Sequence, residues 1–433
     1  MSAPPEAYVW TWLPAEVEPV VAGRLARQGE QLVFNYGRSY LARDDAIALF
    51  DRELPLKPGT LPTSTNMRMP ACLRDSAPDA WGRKVILHLH ACGSRAESAL
   101  HACGDDELTF LTESGSDRIG ALDFQRSPVE YVPRGGGSVG LEELAVAIGL
   151  LETGRPLTPE LARLAVNCTG AGGARPKAVI ESAGAKYLVK FSSSRDLYPV
   201  VKAEFVAMRL AARAGLNVAP VSLMNTADGD VLLVRRFDRI ATQDGWQRRH
   251  MLSALTLLGL DEKTAAHASY EDLAEIIRHR FTSPKATLLE LYGRMVFNVL
   301  IGNTDDHARN HAAFWDGRHL SLTPAFDICP QPRGTGEAFQ AMRIAGSDST
   351  SRIATCLRAA HNFLLSEADA IELIKGQTEG IVSAWQEVTA EAGLKYMERQ
   401  SLWGRQILNA FAFGGLEGAA RRSLSRYVCA AGL

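Results

Sequence analysis

The stretch from Leu300 to Pro330 concentrates side chains that could carry out chemistry. Asp305 and Asn310 are separated by four residues, and Asp327 follows further along. A D-x-x-x-x-N spacing is typical of loops that transfer a phosphoryl group. Carboxylate and amide oxygens are ligands that Mg²⁺ prefers. The pattern therefore predicts that Asn310 and Asp327 hold Mg²⁺, while Asp305 accepts a hydroxyl proton or orients the hydroxyl.

Other polar residues of this loop have simpler interpretations. Asp306 and Arg309 could form a solvated ion pair, and His307 could be a structural histidine bonded to the backbone. Asp305, Asn310 and Asp327 are treated as one functional hypothesis, because their spacing, an intervening hairpin and an upstream lysine agree.

Two elements must position this trio. The apolar segment LLELYGRMVFNVLIG predicts a buried helix that ends where the loop begins. After the loop, HAAFW and HLSLTP flank Asp316-Gly317, a combination that predicts a hairpin. We expect this hairpin to return Asp327 to the side of Asp305 and Asn310.

An upstream segment has the order of a kinase-like small lobe. A glycine-rich loop at Gly170–Ala174 leads into the strands KAVIE and KYLVKF, and the second strand ends at Lys190. Glycines at a strand entrance let backbone N–H groups approach a phosphate. A predicted amphipathic helix follows, in which Glu204 either pairs with Lys190 or forms an ordinary surface contact. A hairpin at Asp228-Gly229 then leads to Arg235.

Together these motifs resemble the HipA family of serine/threonine kinases, the toxin half of HipBA-type toxin–antitoxin modules. The resemblance rests on GGARPKAVI, YLVKF, VRRFDRI, GNTDDHARNHAAF and LTPAFDICP. It extends to VVAGRLARQGEQLVFNYGRSYL, LRDSAPDAWGRKVI and DRIGALDF near the N-terminus, and it is weakest towards the C-terminal end. The HRD, DFG and APE signatures of general protein kinases are absent.

The resemblance implies a role for each matching residue. Asp305 matches the catalytic aspartate, Asp327 a magnesium ligand, and Lys190 the lysine that holds the ATP phosphates. The hinge departs from the family, because a glutamate is common where Arg235 stands. The further ATP-binding positions implied are Gly172, Gly173, Ala174, Arg175, Pro176 and Lys177 in the phosphate loop, Arg235, Arg236 and Phe237 in the hinge, and His307 and Asn310 in the catalytic loop.

A second departure concerns self-inactivation. Many members of the family carry a serine just ahead of the glycine-rich loop, and autophosphorylation of that serine ejects the loop. Gly170 stands at the matching position here, with Thr169 beside it. A serine-based switch is therefore not expected, and Thr169 is the candidate substitute.

The resemblance implies an α+β, protein-kinase-like two-lobe fold. We expect a β-rich N-terminal domain at 1–134, a small lobe at 135–240 with the glycine-rich loop and the ATP lysine, and a helical C-terminal lobe at 241–433. Gly135–Gly140 spells G-x-G-x-x-G, but the preceding EYVPR is not a strong strand. A linker is therefore favoured there over a dinucleotide loop.

Composition limits the possible partners. The 47 basic and 49 acidic residues give a net charge of −2, which favours neither nucleic acid nor an anionic membrane. The N-terminus lacks a signal-peptide pattern, and no apolar run approaches the roughly 20 residues of a membrane span. Seven cysteines without a Cys-x-x-Cys pair fit reduced thiols. These features predict a cytoplasmic protein.

One further cluster could be drawn as a metal site. It comprises His88, His90, Cys92, His101 and Cys103. Pairs at i and i+2 point apart on a helix, and VILHLHAC has a helical pattern. A helix with polar and small core residues is therefore favoured.

The function implied is transfer of the ATP γ-phosphate, with Mg²⁺, to a protein hydroxyl. Family targets are translation factors such as aminoacyl-tRNA synthetases, and growth arrest follows unless a HipB-like helix-turn-helix antitoxin neutralises the kinase. DNA would be bound only through that antitoxin. Two alternatives remain open: a pseudokinase-like corepressor subunit, and a HipA-fold kinase with a non-protein substrate.

Overall fold

The computed structural model describes residues 5–91, 106–137, 139–193, 195–333 and 336–430. The chain forms two compact units. The first comprises Met1–Ser193, Met224–Leu252 and Phe314–Arg318, and the second comprises Ser194–Leu223, Ser253–Ala313 and His319–Leu433. The predicted N-terminal domain and most of the predicted small lobe thus share one compact unit, and the three-part division remains a prediction.

The first unit begins with an antiparallel sheet of order β3-β2-β1-β4. Its inward side chains, such as Ala7, Val9 and Phe34, are fully buried. The strands are β1 Glu6–Thr11, β2 Val20–Gln28, β3 Gln31–Tyr36 and β4 Leu122–Gln125, and the helices of this part are α1 Arg38–Leu41, α2 Ala71–Arg74, α3 Ala80–Ala91 and α4 Glu107–Glu113.

A second sheet in this unit has the order β5-β6-β8-β7. One hydrophobic cluster packs Trp81 and Val85 of α3 against Ala178 and Val189 of the sheet. The predicted strands KAVIE and KYLVKF are confirmed as β5 and β6. The elements here are α5 Leu141–Glu152, α6 Pro159–Ala165, a 3₁₀ turn Val166–Cys168, β5 Lys177–Ser182, β6 Ala185–Phe191, β7 Val221–Thr226, β8 Gly229–Arg235, β9 Arg239–Ala241, β10 Trp246–Arg248 and β11 His250–Ser253.

The described part of the segment spelling G-x-G-x-x-G forms no strand, and its interpretation as a linker remains a prediction. Gly135, Gly136 and Gly137 all have positive φ values of 71°, 91° and 86°. The residues just before them form no strand, and the N–H of Gly136 donates to the Asn167 side-chain oxygen at 2.7 Å. The amide of Gly136 therefore has a partner within the protein.

The second unit is mainly helical. Its central helix α10, Pro284–Ile301, confirms the predicted buried helix, and it packs against α9 and α12. The elements are α7 Val200–Arg213, α8 Ala254–Leu257, α9 Tyr270–Arg280, α10 Pro284–Ile301, β12 Ala312–Trp315, whose last two residues belong to the first unit, β13 Leu320–Leu322, α11 Ile353–Ala359, α12 Glu367–Glu391, α13 Tyr396–Leu402 and α14 Gly418–Ala430, with 3₁₀ turns at Ala265–His267, Ala360–Phe363 and Ala410–Phe413. Within the part of the chain that the structure describes, no helix combines the length and apolarity needed to cross a membrane.

Candidate active site

Helix α10 ends at Gly302, and this ending positions the loop that carries Asp305. Gly302 is left-handed, with φ 75° and ψ 26°, and its N–H donates to the Asn298 carbonyl oxygen. A side chain at this position would also collide with the Gln406 carbonyl oxygen. Glycine is therefore required both by the backbone conformation and by the close approach.

The following loop is wound into successive turns. The N–H of His307 donates to the Asp305 carbonyl oxygen at 2.9 Å, and the N–H of Asn310 donates to the His307 carbonyl oxygen at 2.8 Å. The Asn310 side chain donates through Nδ2 to the same Asp305 carbonyl at 3.3 Å. Because Nδ2 is used in this bond, Oδ1 is the Asn310 atom with the chemistry to hold a cation.

The segment after this loop returns Asp327 to it, which confirms the predicted hairpin. The N–H of Thr323 donates to the Ala312 carbonyl oxygen at 3.0 Å, and the N–H of Gln331 donates to the Gly302 carbonyl oxygen at 2.9 Å. Asp327 lies between these two ties in a left-handed conformation, with φ 59°. Aspartate tolerates this conformation better than most residues.

Negative charge accumulates around Asp305. Partial burial raises the pKa of its carboxyl, the charges of Asp327 and Asp306 raise the pKa further, and His307 opposes them. A divalent cation would relieve this repulsion. Among the described residues, no group of three or more His, Cys, Asp or Glu could hold a metal. Two oxygen ligands with water and phosphate completing the shell are nevertheless typical of Mg²⁺.

Asp306 does not form the solvated pair with Arg309 that the sequence suggested. Its carboxylate is buried, accepts a hydrogen bond from the Tyr270 hydroxyl, and lies 2.9 Å from His311 Nε2. Arg309 pairs instead with Glu262. The expectation was wrong because Asp306 faces the interior whereas Asp305 is exposed. Tyr270 and His311 were missed, although a histidine five residues after Asp306 was a weak signal.

His307 contacts the backbone through its own N–H rather than through its ring. Its Nδ1 is buried, and it has no hydrogen-bond partner among the described residues. Within the described part of the chain, the Nδ1 atom of His307 therefore does not form the bond to the backbone that was expected of a structural histidine.

In the first unit, Lys177 and Lys190 are direct cross-strand partners in β5 and β6. Opposed residues of an antiparallel pair lie on the same face of a sheet. Each lysine is only 5% exposed. Like charges that face each other at a buried position favour an anion nearby, so this pair suits phosphate binding.

The glycine-rich loop ahead of β5 is held by several internal contacts. The Thr169 hydroxyl is buried, donates to the Val166 carbonyl oxygen at 2.6 Å and accepts from the Gly115 N–H at 2.7 Å. The N–H of Gly173 donates to Asp79 Oδ2 at 2.5 Å. Asp79 was not selected from the sequence, although it lies in the family-like segment LRDSAPDAWGRKVI.

The predicted hinge residues have different surroundings. Arg235 is exposed, and Phe237 makes an edge-to-face contact with Phe314 at 5.9 Å. Arg236 is buried, and its guanidinium pairs with Asp117 and Asp238 at 2.9 and 2.7 Å. Its N–H donates to the Lys186 carbonyl oxygen at 2.8 Å. Because the side chain and the backbone N–H of Arg236 have these partners, a contact of Arg236 with adenine would use the Arg236 backbone carbonyl group.

Two groups of side chains named in the sequence analysis, an ion pair and a histidine–cysteine cluster, remain predictions. Lys190 belongs to the first unit and Glu204 to the second, so their ion pair is untested. His88 and His90 lie on α3, and His88 Nε2 lies 3.0 Å from the Arg155 carbonyl oxygen. The other members of the histidine–cysteine cluster, Cys92, His101 and Cys103, lie outside the described residues.

Two family matches define the class of protein. Residues 15–125 match the HipA N-terminal domain, and residues 169–385, half of the chain, match the HipA-like C-terminal domain. The chain belongs to the HipA family, which confirms the resemblance inferred from its motifs.

Individual relatives match over shorter stretches. The serine/threonine-protein kinase toxin HipA of Shewanella oneidensis is 28% identical over 158 residues, which are 33% of this chain and 36% of the relative. The protein Y4mE of Sinorhizobium fredii is 31% identical over 130 residues, which are 29% of this chain and 31% of the relative. The chain thus spans about a third of the length of the curated relatives it matches.

A solved structure confirms the class of fold. HipA of Shewanella oneidensis MR-1, in a complex with HipB and its operator DNA, covers 98% of this chain and 95% of that chain. The TM-score is 0.62 and the sequence identity is 16%. The α+β, HipA-type fold expected from the sequence is therefore confirmed.

Proposed function

We propose that this chain is a HipA-type serine/threonine protein kinase that transfers the γ-phosphate of ATP to a protein hydroxyl. The arrangement around Asp305 supports this most strongly. Asn310 binds its carbonyl oxygen, and Asp327 lies close enough for its charge to raise the pKa of the Asp305 carboxyl. One exposed aspartate beside two oxygen ligands suits phosphoryl transfer.

The residues have separate proposed roles. Asp305 orients the acceptor hydroxyl and accepts its proton, while Lys177, Lys190 and the loop Gly172–Lys177 bind the ATP phosphates. Asp327 and Asn310 would hold Mg²⁺, which neutralises charge on the phosphate oxygens when bound.

The adenine contact is proposed to use backbone groups of Arg235–Phe237. The Arg236 side chain is committed to Asp117 and Asp238, so it is not proposed to touch the base. The departure from glutamate at Arg235 does not affect a backbone contact.

Phosphate transfer to protein is the direct test. The purified protein is incubated with Mg²⁺, ATP labelled on its γ-phosphate and a cell lysate, beside an Asp305→Ala control. We expect labelled protein bands with the wild type and none with the variant. Nucleotide binding without any labelled product would favour the pseudokinase corepressor, and label confined to non-protein material would favour a small-molecule kinase.

The proposed partner is a small helix-turn-helix antitoxin. The similar Shewanella HipA was solved with HipB and operator DNA. The proposed action is cytoplasmic growth arrest through a translation-related target such as an aminoacyl-tRNA synthetase. Induced expression should arrest growth, and co-expression of the adjacent open reading frame should restore it. Unchanged growth on expression of the active kinase alone would contradict the toxin role.

A further inference from the structure

Charged side chains hold the Gly172–Gly173 peptide group from both sides. The N–H of Gly173 donates to Asp79 Oδ2 at 2.5 Å, and the ammonium of Lys177 donates to the Gly172 carbonyl oxygen. The N–H and C=O of a trans peptide point in opposite directions. The amide therefore points towards Asp79 and the carbonyl towards Lys177.

Asp79 reaches the loop from the side of helix α3. Two residues further on, the N–H of Trp81 donates to the Gly173 carbonyl oxygen at 3.3 Å. The Trp81 indole N–H donates to the Lys177 carbonyl oxygen at 3.1 Å. The segment from Asp79 to Trp81 thus forms hydrogen bonds both with the glycine-rich loop and with the first residue of β5.

The lysine side chains lie on the other face of the sheet. Trp81 packs in one cluster with Ala178 and Val189. Ala178 pairs with Val189, and Lys177 pairs with Lys190 one step along the ladder. Because successive residues of a strand point to opposite faces, the two lysines face away from the Trp81 cluster.

This orientation is unfavourable for a phosphate on the lysine face. A phosphate there would meet the Gly172 carbonyl oxygen, whereas loops that cradle phosphates present N–H groups. The Lys177 ammonium is also partly satisfied by that same carbonyl. Rotation of the peptide group would bring the Gly173 N–H to the phosphate and release Lys177.

We propose that Asp79 is a positioning residue that holds the Gly172–Gly173 peptide group turned away from the phosphate-binding lysines. Nucleotide binding then requires this group to rotate by about half a turn, breaking the bond to Asp79. Glycine permits the change, because φ of Gly173 is 112° here and both signs of φ are open to it. The role of the lysines in this inference rests on the proposed function.

The test compares Asp79→Ala and Asp79→Asn with the control Asp44→Ala, which removes an exposed carboxylate of the same unit. Hydrogen exchange of the loop peptide 166–177 is measured without nucleotide, and affinity is measured with a fluorescent ATP analogue and Mg²⁺. We expect faster exchange and roughly three- to tenfold tighter binding in Asp79→Ala, because a charged hydrogen bond no longer opposes rotation. Asp79→Asn keeps the shape without the charge, so an intermediate effect is expected.

The outcomes separate this inference from the proposed function. Unchanged or weaker nucleotide binding in Asp79→Ala, with the control equal to wild type, would overturn the inference. Tighter binding is expected only if Asp79 opposes the conformation of the loop that binds nucleotide. Lys190→Met should abolish nucleotide binding. If it does not, the proposed function fails, while faster loop exchange in Asp79→Ala would still show that Asp79 holds the peptide group.

Discussion

At the scale of single residues, Asp305 and Asp327 have different proposed roles, so their substitution should have different effects. Asp305→Ala should retain Mg-ATP binding and lose phosphoryl transfer by at least about a thousandfold, because only orientation of the hydroxyl is removed. Asp327→Ala should also weaken nucleotide binding that depends on Mg²⁺. Single-turnover transfer and nucleotide titrations with and without Mg²⁺ measure both effects.

Asp244→Ala, which removes an exposed carboxylate of the first unit, is the matched control and should behave as wild type. Full transfer activity in Asp305→Ala or Asp327→Ala would contradict the roles assigned to these two residues.

Asp306, the neighbour of Asp305, should matter for stability. Asp306→Ala would leave the buried Tyr270 hydroxyl and His311 Nε2 without their acceptor, which costs about 3 kcal/mol of the free energy of unfolding. Tyr270→Phe removes only one donor and should cost about half as much. Urea unfolding followed by tryptophan fluorescence measures both values.

Arg309→Ala supplies the comparison for Asp306. Its partner Glu262 is exposed, so the loss should stay below about 1 kcal/mol. Equal, small effects in Asp306→Ala and Arg309→Ala would show that the buried cluster contributes little to stability.

At the scale of elements, the glycine-rich loop should not silence the enzyme by phosphorylation. Thr169 is only 1% exposed, and its hydroxyl makes two hydrogen bonds that must break before it could accept a phosphate. Purified enzyme incubated with Mg-ATP should therefore show little loop phosphate and little loss of activity with time. Mass spectrometry of the loop peptide, sampled beside activity, measures both.

Gly170→Ser tests whether the switch can be restored. Gly170 has no positive φ, and an added Cβ would lie 3.0 Å from the Asp117 carbonyl oxygen, which must move by a few tenths of an ångström to make room for it. We expect this variant to gain loop phosphate and time-dependent inactivation. Stoichiometric phosphate on Thr169 of the wild type, with inactivation, would show instead that the switch moved by one residue.

At the scale of the whole molecule, the buried ion pairs of Asp238 with Arg236 and Arg239 should make the free energy of unfolding depend on pH. Burial by itself would raise the pKa of Asp238, but the charges of Arg236 and Arg239 outweigh burial and lower the pKa to about 2. A depressed carboxyl pKa stabilises the fold above about pH 4, and this contribution is lost as the pH falls from about 4 through 2. The loss for Asp238 is about 2 kcal/mol.

Urea unfolding at pH 7, 5, 4 and 3 measures this dependence. Asp238→Asn should be less stable than wild type at pH 7 and should lose less stability between pH 5 and pH 3. Parallel stability profiles for the two proteins would rule out Asp238 as a source of the acid sensitivity.

The overall charge bears on DNA binding. With a net charge of −2 and no DNA-reading motif apparent in its sequence, the isolated chain should bind operator DNA weakly. Binding should tighten strongly when the proposed antitoxin is added, because its helix-turn-helix supplies the base contacts. A gel-shift assay at physiological salt measures the difference, and tight sequence-specific binding by the isolated chain would contradict the expectation.

The sequence by itself determined the features that depend on neighbouring residues. The helix α10 and its end at Gly302, the strands β5 and β6, and the return hairpin before Asp327 were predicted correctly. Strand alternation, turn residues and helical periodicity involve residues that are close together in the chain, so a single sequence is enough to recognise them. The same motifs were enough to indicate the HipA family.

Only the tertiary structure decided which side chains are committed to distant partners. Asp79 meets Gly173 across 94 positions, Arg236 meets Asp117 across 119, and Tyr270 meets Asp306 across 36. No local pattern records such contacts, because they depend on which faces of separate elements pack together. The sequence therefore suggested a solvated Asp306 and an Arg236 that binds ATP, and it gave no indication of the role of Asp79.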